Sequence, residues 1–421
     1  MTDLHRRGLL AGTVGAGFGL ASAAAMAQSG SDHRRYLAGT TLDATDYGAV
    51  GDGKVDDTDA LQRVLDDAVG RRNGGLIVIP PGRYRITRTL RVETPGKPKG
   101  NVTHGCIIRA YGARLVSAID EPEPVLEFVS NSVVRFLTIE GLEIQGSGRD
   151  GHGLVFTCVA RGRYIYNFCL RDVIVQRCGG DGCRMTGNIF EGQIFNSYFR
   201  DNRLNGATFS HGPENTVLSA VHVFGCVFGG NGVHGVEMIE GAEDIGFQGC
   251  YFLENGKFGL SASHGCTLLS HCGFENNHER AASFSEGDAG IYLMVKGTLV
   301  GCTAYSIRRQ THLIRSYVTQ NLVMVGCTGS GDGKADGAGL ARLSGGHGHA
   351  VLLGTQGTVR NEGGVTIADA GRAAAGRFPS NWDAPDLARL GSYRLWVDND
   401  GSLRIKKGKP TSDRDGNPVG A

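Results

Sequence analysis

Short apolar runs alternate with Gly- and Asn-containing turns through most of the chain. Two stretches, VFGCVFGGNGVHGVEM and GFQGCYFLENGKFGLSA, share one pattern. In each, a Gly precedes Cys226 or Cys250, a Phe follows two positions on, an Asn-Gly turn comes next, and another Gly opens a second apolar run. Aligned on Cys226, the equivalent position recurs every 22 to 31 residues, at Leu142, Val173, Ser197, Cys226, Cys250, Cys272, Cys302 and Cys327. Because Gly interrupts every potential helix, this short, irregular period predicts the stacked coils of a β-solenoid.

Alternation within each coil separates inward from outward side chains. In the first strand, the residues two positions after the aligned site are predicted to stack inside: Ile144, Val175, Phe199, Phe228, Phe252 and Phe274. In the second strand, the predicted inward pairs are Leu154/Phe156, Cys183/Met185, Ala207/Phe209, Val236/Met238, Leu260/Ala262 and Ile291/Leu293. The residues between these pairs should face solvent: Val155, Arg184, Thr208, Glu237, Ser261 and Tyr292.

The region before the coils predicts a cap. Asp57 or Thr58 can begin a helix that runs to about Val69 and has one apolar face, formed by Leu61, Val64, Leu65 and Ala68. The segment Asp46–Ile86 resembles the opening of pectate-lyase-superfamily (rhamnogalacturonase/epimerase-like) right-handed parallel β-helix proteins. The resemblance implies an all-β, right-handed parallel β-helix whose N-terminal helix covers the open end of the stack. We expect the β-helix over residues 43–354, with its cap over 43–100.

Both ends of the chain carry further signals. His5-Arg6-Arg7 precedes a Gly/Ala-rich apolar run, and Ala25-Met26-Ala27 supplies small residues for cleavage. Residues 1–27 therefore resemble a twin-arginine export signal, an ordinary secretory signal being the alternative, and we expect a periplasmic or secreted protein. Residues 28–42 read as a flexible segment. Residues 355–421 are expected to form a C-terminal cap, with a short helix near Asp383–Leu390 and a β-hairpin that turns at Asn399-Asp400-Gly401.

Composition excludes several classes of protein. The 421 residues carry a formal net charge of +1, which gives no case for nucleic acid as a partner, and no segment is suited to membrane insertion. The 67 Gly residues fit many short strands joined by turns. The 11 Cys include no C-x-x-C pair, and several share one position of the repeat. This spacing favours buried thiols over disulfide bridges or a metal centre.

Candidate chemistry is concentrated at the turn that leads into the second strand of each coil. The polar residues there are Asp150, His152, Asp181, Arg184, Asn205, His234, Glu237, Lys257, Asp288 and Tyr292. Gly179–Cys183 is similar to the second motif of the polygalacturonase family, although Gly182 replaces one catalytic Asp of that motif. Asp150 lies where the first motif has its Asp. The family's G-H-G and R-I-K tripeptides occur on the wrong coil and in the tail, so only Asp150 and Asp181 carry over.

The sequence therefore predicts an exported enzyme that cleaves glycosidic bonds of an acidic or bacterial polysaccharide. Hydrolysis needs two carboxyl groups flanking the bond. Asp181 and Glu237, two coils and about 9–10 Å apart, are the expected acid/base pair, with Asp150 in support. The expected substrate-binding residues are His152, Arg184, His234, Lys257, Asp288 and Tyr292.

Several alternatives remain open at this point. A lyase would use Arg184 or Lys257 as the base, and a non-catalytic polysaccharide-binding or spike-like protein would bind without cleaving. A rival surface follows the first strand, with Glu143, Tyr198, Tyr251, Arg200, Asp201, Arg203 and Glu254. The loop Glu275–Arg280 is a third candidate, whereas Asn202, Asn231, Asn255 and Asn276 are expected to form a structural Asn ladder. A calcium site also stays open, although no tight acidic triplet in one turn of the wall supports it, so we assign no cofactor. A homotrimer is compatible with the fold.

Overall fold

The computed structural model describes residues 41–70, 74–94, 102–212, 216–239, 242–262, 266–277, 289–293, 296–305, 312–318, 321–330, 339–345, 348–370, 388–390, 393–397, 403–408, 411–412, 414–415 and 417–418. The export signal, most of the segment 28–42, Asp288, residues 278–280 and the turn at 399–401 lie outside them. No helix within the described ranges is long and apolar enough to cross a membrane.

Three long parallel sheets, named A, B and C, run along the molecule and confirm the predicted β-solenoid. Sheet A consists of Thr41–Asp43, Leu76–Val78, Ile107–Arg109, Thr138–Glu140, Cys169–Arg171, Gln193–Phe195, His222–Phe224, Ile245–Gln248, Cys266–Ser270, Lys296–Val300, Asn321–Val325, His349–Leu353 and Thr366–Ala370. Sheet B consists of Asp52–Asp56, Gly82–Ile86, Ala113–Ser117, Glu143–Gln145, Ile174–Gln176, Tyr198–Arg200, Val227–Gly229, Tyr251–Leu253, Gly273–Glu275, Thr303–Tyr305 and Thr328–Ser330.

Sheet C carries the candidate chemistry, and a shorter sheet D accompanies it. Sheet C consists of Leu90–Thr94, Leu126–Ser130, Leu154–Cys158, Cys183–Gly187, Ala207–Ser210, Val236–Met238, Leu260–Ala262, Ala289–Leu293, His312–Tyr317, Gly339–Ser344 and Thr358–Asn361. Sheet D consists of Val102–His104, Val133–Arg135, Tyr164–Tyr166, Ile189–Phe190, Leu218–Ser219 and Ala242–Glu243.

The core is built from rows of like side chains stacked from coil to coil. Phe199, Phe228, Phe252 and Phe274 are fully buried on successive strands of sheet B, with ring centroids 5.3, 5.3 and 4.7 Å apart. The predicted inward pairs of sheet C share the expected register. The ten Cys whose side chains are described are all free, and nine of them are buried, as the repeat predicted. Close packing of these rows fixes the spacing of everything displayed outside.

The N-terminal helix packs against the first strands of sheets A, B and C. It spans Thr58–Gly70 after a short 3-10 helix at Ala44–Tyr47, and its predicted apolar face is buried. The helix begins where the sequence predicts, and the Asp57 carbonyl accepts the N–H of Leu61 (3.0 Å). The Asp57 carboxylate accepts hydrogen bonds from the N–H groups of Val50 and Gly51 (2.6 and 3.1 Å), and thereby ties the preceding loop to the start of the helix.

An Asn ladder joins sheets B and C at the turn between them. Asn202, Asn231 and Asn255 are buried and each donates its Nδ2 to the next Asn of the ladder. The fourth member is Asn277 and not the predicted Asn276, because Asn276 adopts a left-handed backbone conformation one position earlier. The ladder satisfies buried backbone groups and is structural, as predicted.

The C-terminal part differs from the sequence expectation in two respects. Coils continue past Gly354, since Thr358–Asn361 extends sheet C and Thr366–Ala370 extends sheet A. The predicted hairpin is present as Tyr393–Val397 paired antiparallel with Leu403–Lys407, within a sheet E completed by Ala388–Leu390 and Asn417–Pro418. The end of the expected helix, Ala388–Leu390, is therefore a strand, whose pairing outweighs local helix propensity.

Candidate functional site

Two rows of side chains on sheet C form the candidate site, which we name the sheet C wall. The outward row runs through the middle of each strand and contains, in register, Val155, Arg184, Thr208, Glu237, Ser261 and Tyr292. Two of these residues, Val155 and Thr208, are buried, because longer side chains flank each of them on both neighbouring coils. The turn row lies two residues before each strand's first inward residue and contains His152, Asp181, Asn205, His234 and Phe258.

The turn row is a ladder of hydrogen bonds between coils. The N–H of Asp181 donates to His152 Nδ1 (2.8 Å), and the N–H of Asn205 donates to Asp181 Oδ1 (3.0 Å). The N–H of His234 donates to Asn205 Oδ1 (2.9 Å), and that of Phe258 donates to His234 Nδ1 (3.3 Å). Four polar residues that the sequence placed at the candidate site thus also hold the coils together: His152, Asp181, Asn205 and His234. This dual use explains their unusual burial for polar groups.

Both histidines of the turn row are neutral at pH 7. Burial, together with the smaller effect of the Lys257 charge, lowers the pKa of His234 to about 4. Burial also lowers the pKa of His152, with the Arg184 charge acting in the same direction against the opposing effect of Asp181. Because each Nδ1 accepts a backbone N–H, each neutral ring carries its proton on Nε2. In this state the Nε2 of each ring is a hydrogen-bond donor and cannot accept a proton.

Asp181 is nearly inaccessible, with 1% of its side chain exposed. Its Oδ1 is used by Asn205, and its Oδ2 lies 3.2 Å from Arg184 Nη1 and 3.4 Å from His152 Nδ1. Arg184 is 36% exposed, so the pair orients a guanidinium whose remaining donors can face solvent. The Asp181 carboxylate is therefore occupied mainly by Arg184 and Asn205, and little of it is left to contact a substrate.

Glu237 lies near Asp181 at the centre of this wall, but its carboxylate is accessible to solvent. It is half-exposed, and its Oε2 accepts a hydrogen bond from Asn205 Nδ2 (2.9 Å). The same Nδ2 donates to Thr208 Oγ1 (3.1 Å), which fixes the amide plane. Asn205, which the sequence pattern placed in the wall without a role, thus holds Glu237 in a defined position.

The remaining predicted residues are distributed around this centre. Asp150 is buried and lies off the turn row, where its two oxygens accept the N–H groups of Gly179 (2.8 Å) and Ser147 (2.9 Å). Lys257 is exposed at the turn beside His234. Tyr292 continues the outward row in register after Ser261. Among the residues with described positions, no three His, Cys, Asp or Glu side chains converge as a metal site.

Sequence reasoning missed the C-terminal continuation of the outward row. Arg315 follows Tyr292, Arg342 follows Arg315, and Arg360 follows Arg342 on successive strands. Arg342 also pairs with Glu362 (2.7 Å). The signal was available in the segments HLIRSY, GLARLS and TVRN, in which each strand places one Arg at the same alternation position. The wall therefore becomes basic toward this end of the solenoid.

Two family models match this chain. One, described as rhamnogalacturonase A/epimerase, pectate lyase-like, matches residues 41–293, more than half of the chain. The other, described as capsule depolymerase, matches residues 349–421, which include the last coils and sheet E.

Similar proteins include two from Azotobacter vinelandii. The chain is 50% identical to alginate lyase 7 over 42 residues (10% of this chain, 5% of the relative) and 33% identical to mannuronan C5-epimerase AlgE3 over 91 residues (22% of this chain, 4% of the relative). The chain thus spans a small part of the length of these relatives. The solved structure of Geobacillus virus E2 ORF18 superimposes with a TM-score of 0.59 at 17% identity, covering 91% of this chain and 69% of that one, which shows a common fold.

Proposed function

The chain belongs to the rhamnogalacturonase A/epimerase, pectate-lyase-like family, and from this premise we propose that it cleaves an acidic polysaccharide by β-elimination at the sheet C wall. The carrying observation is one accessible carboxylate, Glu237, on the same outward row as a positioned cation, Arg184. β-Elimination needs a base that removes the proton next to a uronate carboxyl group, and a cation that neutralises this carboxylate.

In the proposed reaction, Glu237 is the base and Arg184 binds the uronate carboxylate. Glu237 takes the proton from the carbon that bears the carboxylate. The electron pair forms a carbon–carbon double bond, and the glycosidic bond to the neighbouring carbon breaks. The leaving oxygen takes a proton, and we assign its donation to the ammonium group of Lys257, which is exposed and close enough to His234 to affect its pKa. Arg184 cannot itself be the base, because a guanidinium paired with a carboxylate stays protonated.

Hydrolysis by Asp181 and Glu237 is the second candidate. Two strand spacings separate these residues, about 9.5 Å, which is at the upper end of the range for inverting glycosidases. Such an enzyme needs both carboxyl groups at the bond, whereas Asp181 is 1% exposed and already bonded to Arg184 and Asn205. Burial of Asp181 is the reason for preferring elimination.

The proposal of an acidic substrate is supported by the charge of the wall. Arg184, Arg315, Arg342 and Arg360 share the outward row, and guanidinium groups suit carboxylates in planar, bidentate pairs. The names of the matched relatives refer to alginate and mannuronan, and the C-terminal residues match a capsule depolymerase model. We therefore expect a uronate-containing capsule or exopolysaccharide as the substrate.

The test is incubation of the mature protein with alginate, polygalacturonate, rhamnogalacturonan and bacterial capsule preparations. Elimination is expected to shorten the chains and to raise ultraviolet absorbance and reducing ends together. Glu237→Gln should abolish both signals, while the matched control Glu127→Gln should keep them, since Glu127 lies on the same row and pairs with Arg91. Reducing ends without new absorbance would establish hydrolysis, and binding without shortening would establish a non-catalytic protein.

We further propose that the protein is exported and that copies associate through the outward face of sheet A. Residues 1–27 motivate a periplasmic or secreted location. Toward the C-terminal end this face carries exposed or half-exposed apolar side chains: Leu268, Val300, Val325 and Leu353. Such a flat aliphatic strip is suited to contact with another protein, for which a homotrimer is the expected arrangement.

A further inference from the structure

A trough of about 590 Å³ crosses the outward face of sheet B, near the N-terminal end of the solenoid. Arg83 and Arg114 line it from two successive strands, and Glu143 and Ile174 continue the same row. Gly112 and Gly141 also line it, and a larger residue at either position would crowd a neighbouring side chain. A Cβ on Gly112 would lie 3.1 Å from Pro81, and a Cβ on Gly141 would lie 2.4 Å from the Tyr111 ring.

The two arginines are held in different ways. Arg114 Nε contacts Glu143 Oε2 (2.8 Å), and Glu143 Oε1 accepts from Gln176 Nε2 (2.6 Å), so a chain of contacts orients this guanidinium. Arg83 is exposed, and its stem packs over Gly53. Within the described residues, the Arg83 guanidinium has no hydrogen bond or ion pair.

We propose that this trough is a second saccharide-binding site, which holds a carboxylate group of an acidic polysaccharide on Arg83 and Arg114. Two guanidinium groups and one carboxylate leave the trough with one positive charge, which matches one bound carboxylate. Guanidinium forks recognise carboxylates bidentately. Sheet B and sheet C are different faces of the coil, so the site is separate from the sheet C wall.

The same row supplies a stacking surface beyond the trough. Tyr198 follows Ile174 on the next strand and is 40% exposed. Four strand spacings separate Arg83 from Tyr198, about 19 Å along the solenoid axis. Exposed tyrosine rings pack against the apolar faces of sugars. The trough and Tyr198 together fit several consecutive sugar units and would keep a polymer on the protein between cleavage events.

The test is isothermal titration of the full chain carrying Glu237→Gln, so that binding at the trough is measured independently of cleavage. The probes are a uronate oligosaccharide, glucuronic acid and a neutral glucose oligosaccharide of matched length. Arg83→Gln should weaken one uronate-binding event about tenfold, the effect of one charge-assisted hydrogen bond, or remove it. Arg109→Gln is the matched control, because Arg109 pairs with Glu140 on sheet A (3.2 Å) as Arg114 pairs with Glu143 on sheet B.

Each result decides the matter. Loss of one binding event in Arg83→Gln with an unchanged Arg109→Gln supports the site, whether or not a second event remains at the sheet C wall. Competition by glucuronic acid would assign the trough to a single acidic unit, and competition by the oligosaccharide alone would assign it to a polymer. Equal binding of the neutral oligosaccharide, or an Arg83→Gln variant that binds as its parent does, would overturn the proposal.

Discussion

Asp181→Asn separates a positioning role from a chemical one. The substitution preserves the size of a side chain that is 1% exposed and keeps an oxygen for the N–H of Asn205. It places an amide NH₂ where Oδ2 now accepts from Arg184 Nη1 at 3.2 Å. Two donors then face each other, and the Arg184 side chain, 36% exposed, is expected to move toward solvent.

The magnitude follows from that geometry. A hydrogen bond to a charged group contributes about 1.5–3 kcal/mol, and partial exposure of Arg184 places this one at the lower end. About 1.5 kcal/mol corresponds to roughly a tenfold change. If Asp181 only orients Arg184, KM for the acidic substrate should rise about tenfold and kcat should change by less than about threefold.

The assay is the initial rate of ultraviolet absorbance increase against substrate concentration, with Tm measured in parallel to establish folding. Glu237→Gln should lower kcat by at least about a hundredfold, as expected for removal of a general base. On a methyl-esterified polymer the effect of Asp181→Asn should vanish, because Arg184 then has no carboxylate to bind. A kcat loss in Asp181→Asn as large as that in Glu237→Gln would refute the positioning role and favour hydrolysis by two carboxyl groups.

Three further outcomes are expected. Phe228→Ala should lower the free energy of unfolding by about 3–5 kcal/mol in urea titrations, because it empties a fully buried place in the ring stack. The pKa of His234 is lowered to about 4 in the folded protein, so on acidification this residue is protonated in the unfolded chain before it is protonated in the folded protein. The free energy of unfolding should therefore fall by up to about 3 kcal/mol as pH drops from about 6.5 to 4. His234→Asn, which retains an acceptor for the N–H of Phe258, should reduce that pH dependence. Val325→Lys should convert any trimer seen by light scattering into monomer without lowering Tm, and an unchanged mass would place the contact elsewhere.

The scaffold was predictable because its signal is repeated. Successive coils from Ile144 to Phe274 place an aliphatic residue or a Phe in the same register, and an inward row must stack on itself, so the register of Phe228 fixes that of its neighbours. The error at Asn276 has a local cause. Asn276 adopts the left-handed conformation, so the ladder position falls on Asn277. Because both residues are Asn, the sequence does not show which of them joins the ladder.

The division of labour within the wall was not predictable from residue types. Asp181 and Glu237 are both carboxylates at turns or strands of similar composition, and only their burial separates them. Arg184 contacts Asp181 from three residues along the same coil, but Asn205, which bonds to both Asp181 and Glu237, comes from the coil between them. The Asn205 contacts are therefore set by the stacking of coils and not by local sequence. The Arg row ending at Arg360 was visible as a pattern, but insertions between coils obscured its alignment with Glu237.

The two rows of the wall are under different physical constraints. A change in the turn row at His152, Asn205 or His234 removes an acceptor for the backbone of the next coil, and an unsatisfied buried N–H costs about 1–3 kcal/mol. Within the described part of the chain, the side chains of Arg184 and Glu237 in the outward row bond to other side chains, Asp181 and Asn205, and not to the backbone. They can therefore change without opening the ladder. Substrate preference in this fold should therefore be altered most easily along the outward row. Exchanging Ser261, beside Glu237 in register, for Arg should strengthen binding of uronate oligosaccharides with little change in Tm, and a large loss of Tm would contradict this separation of roles.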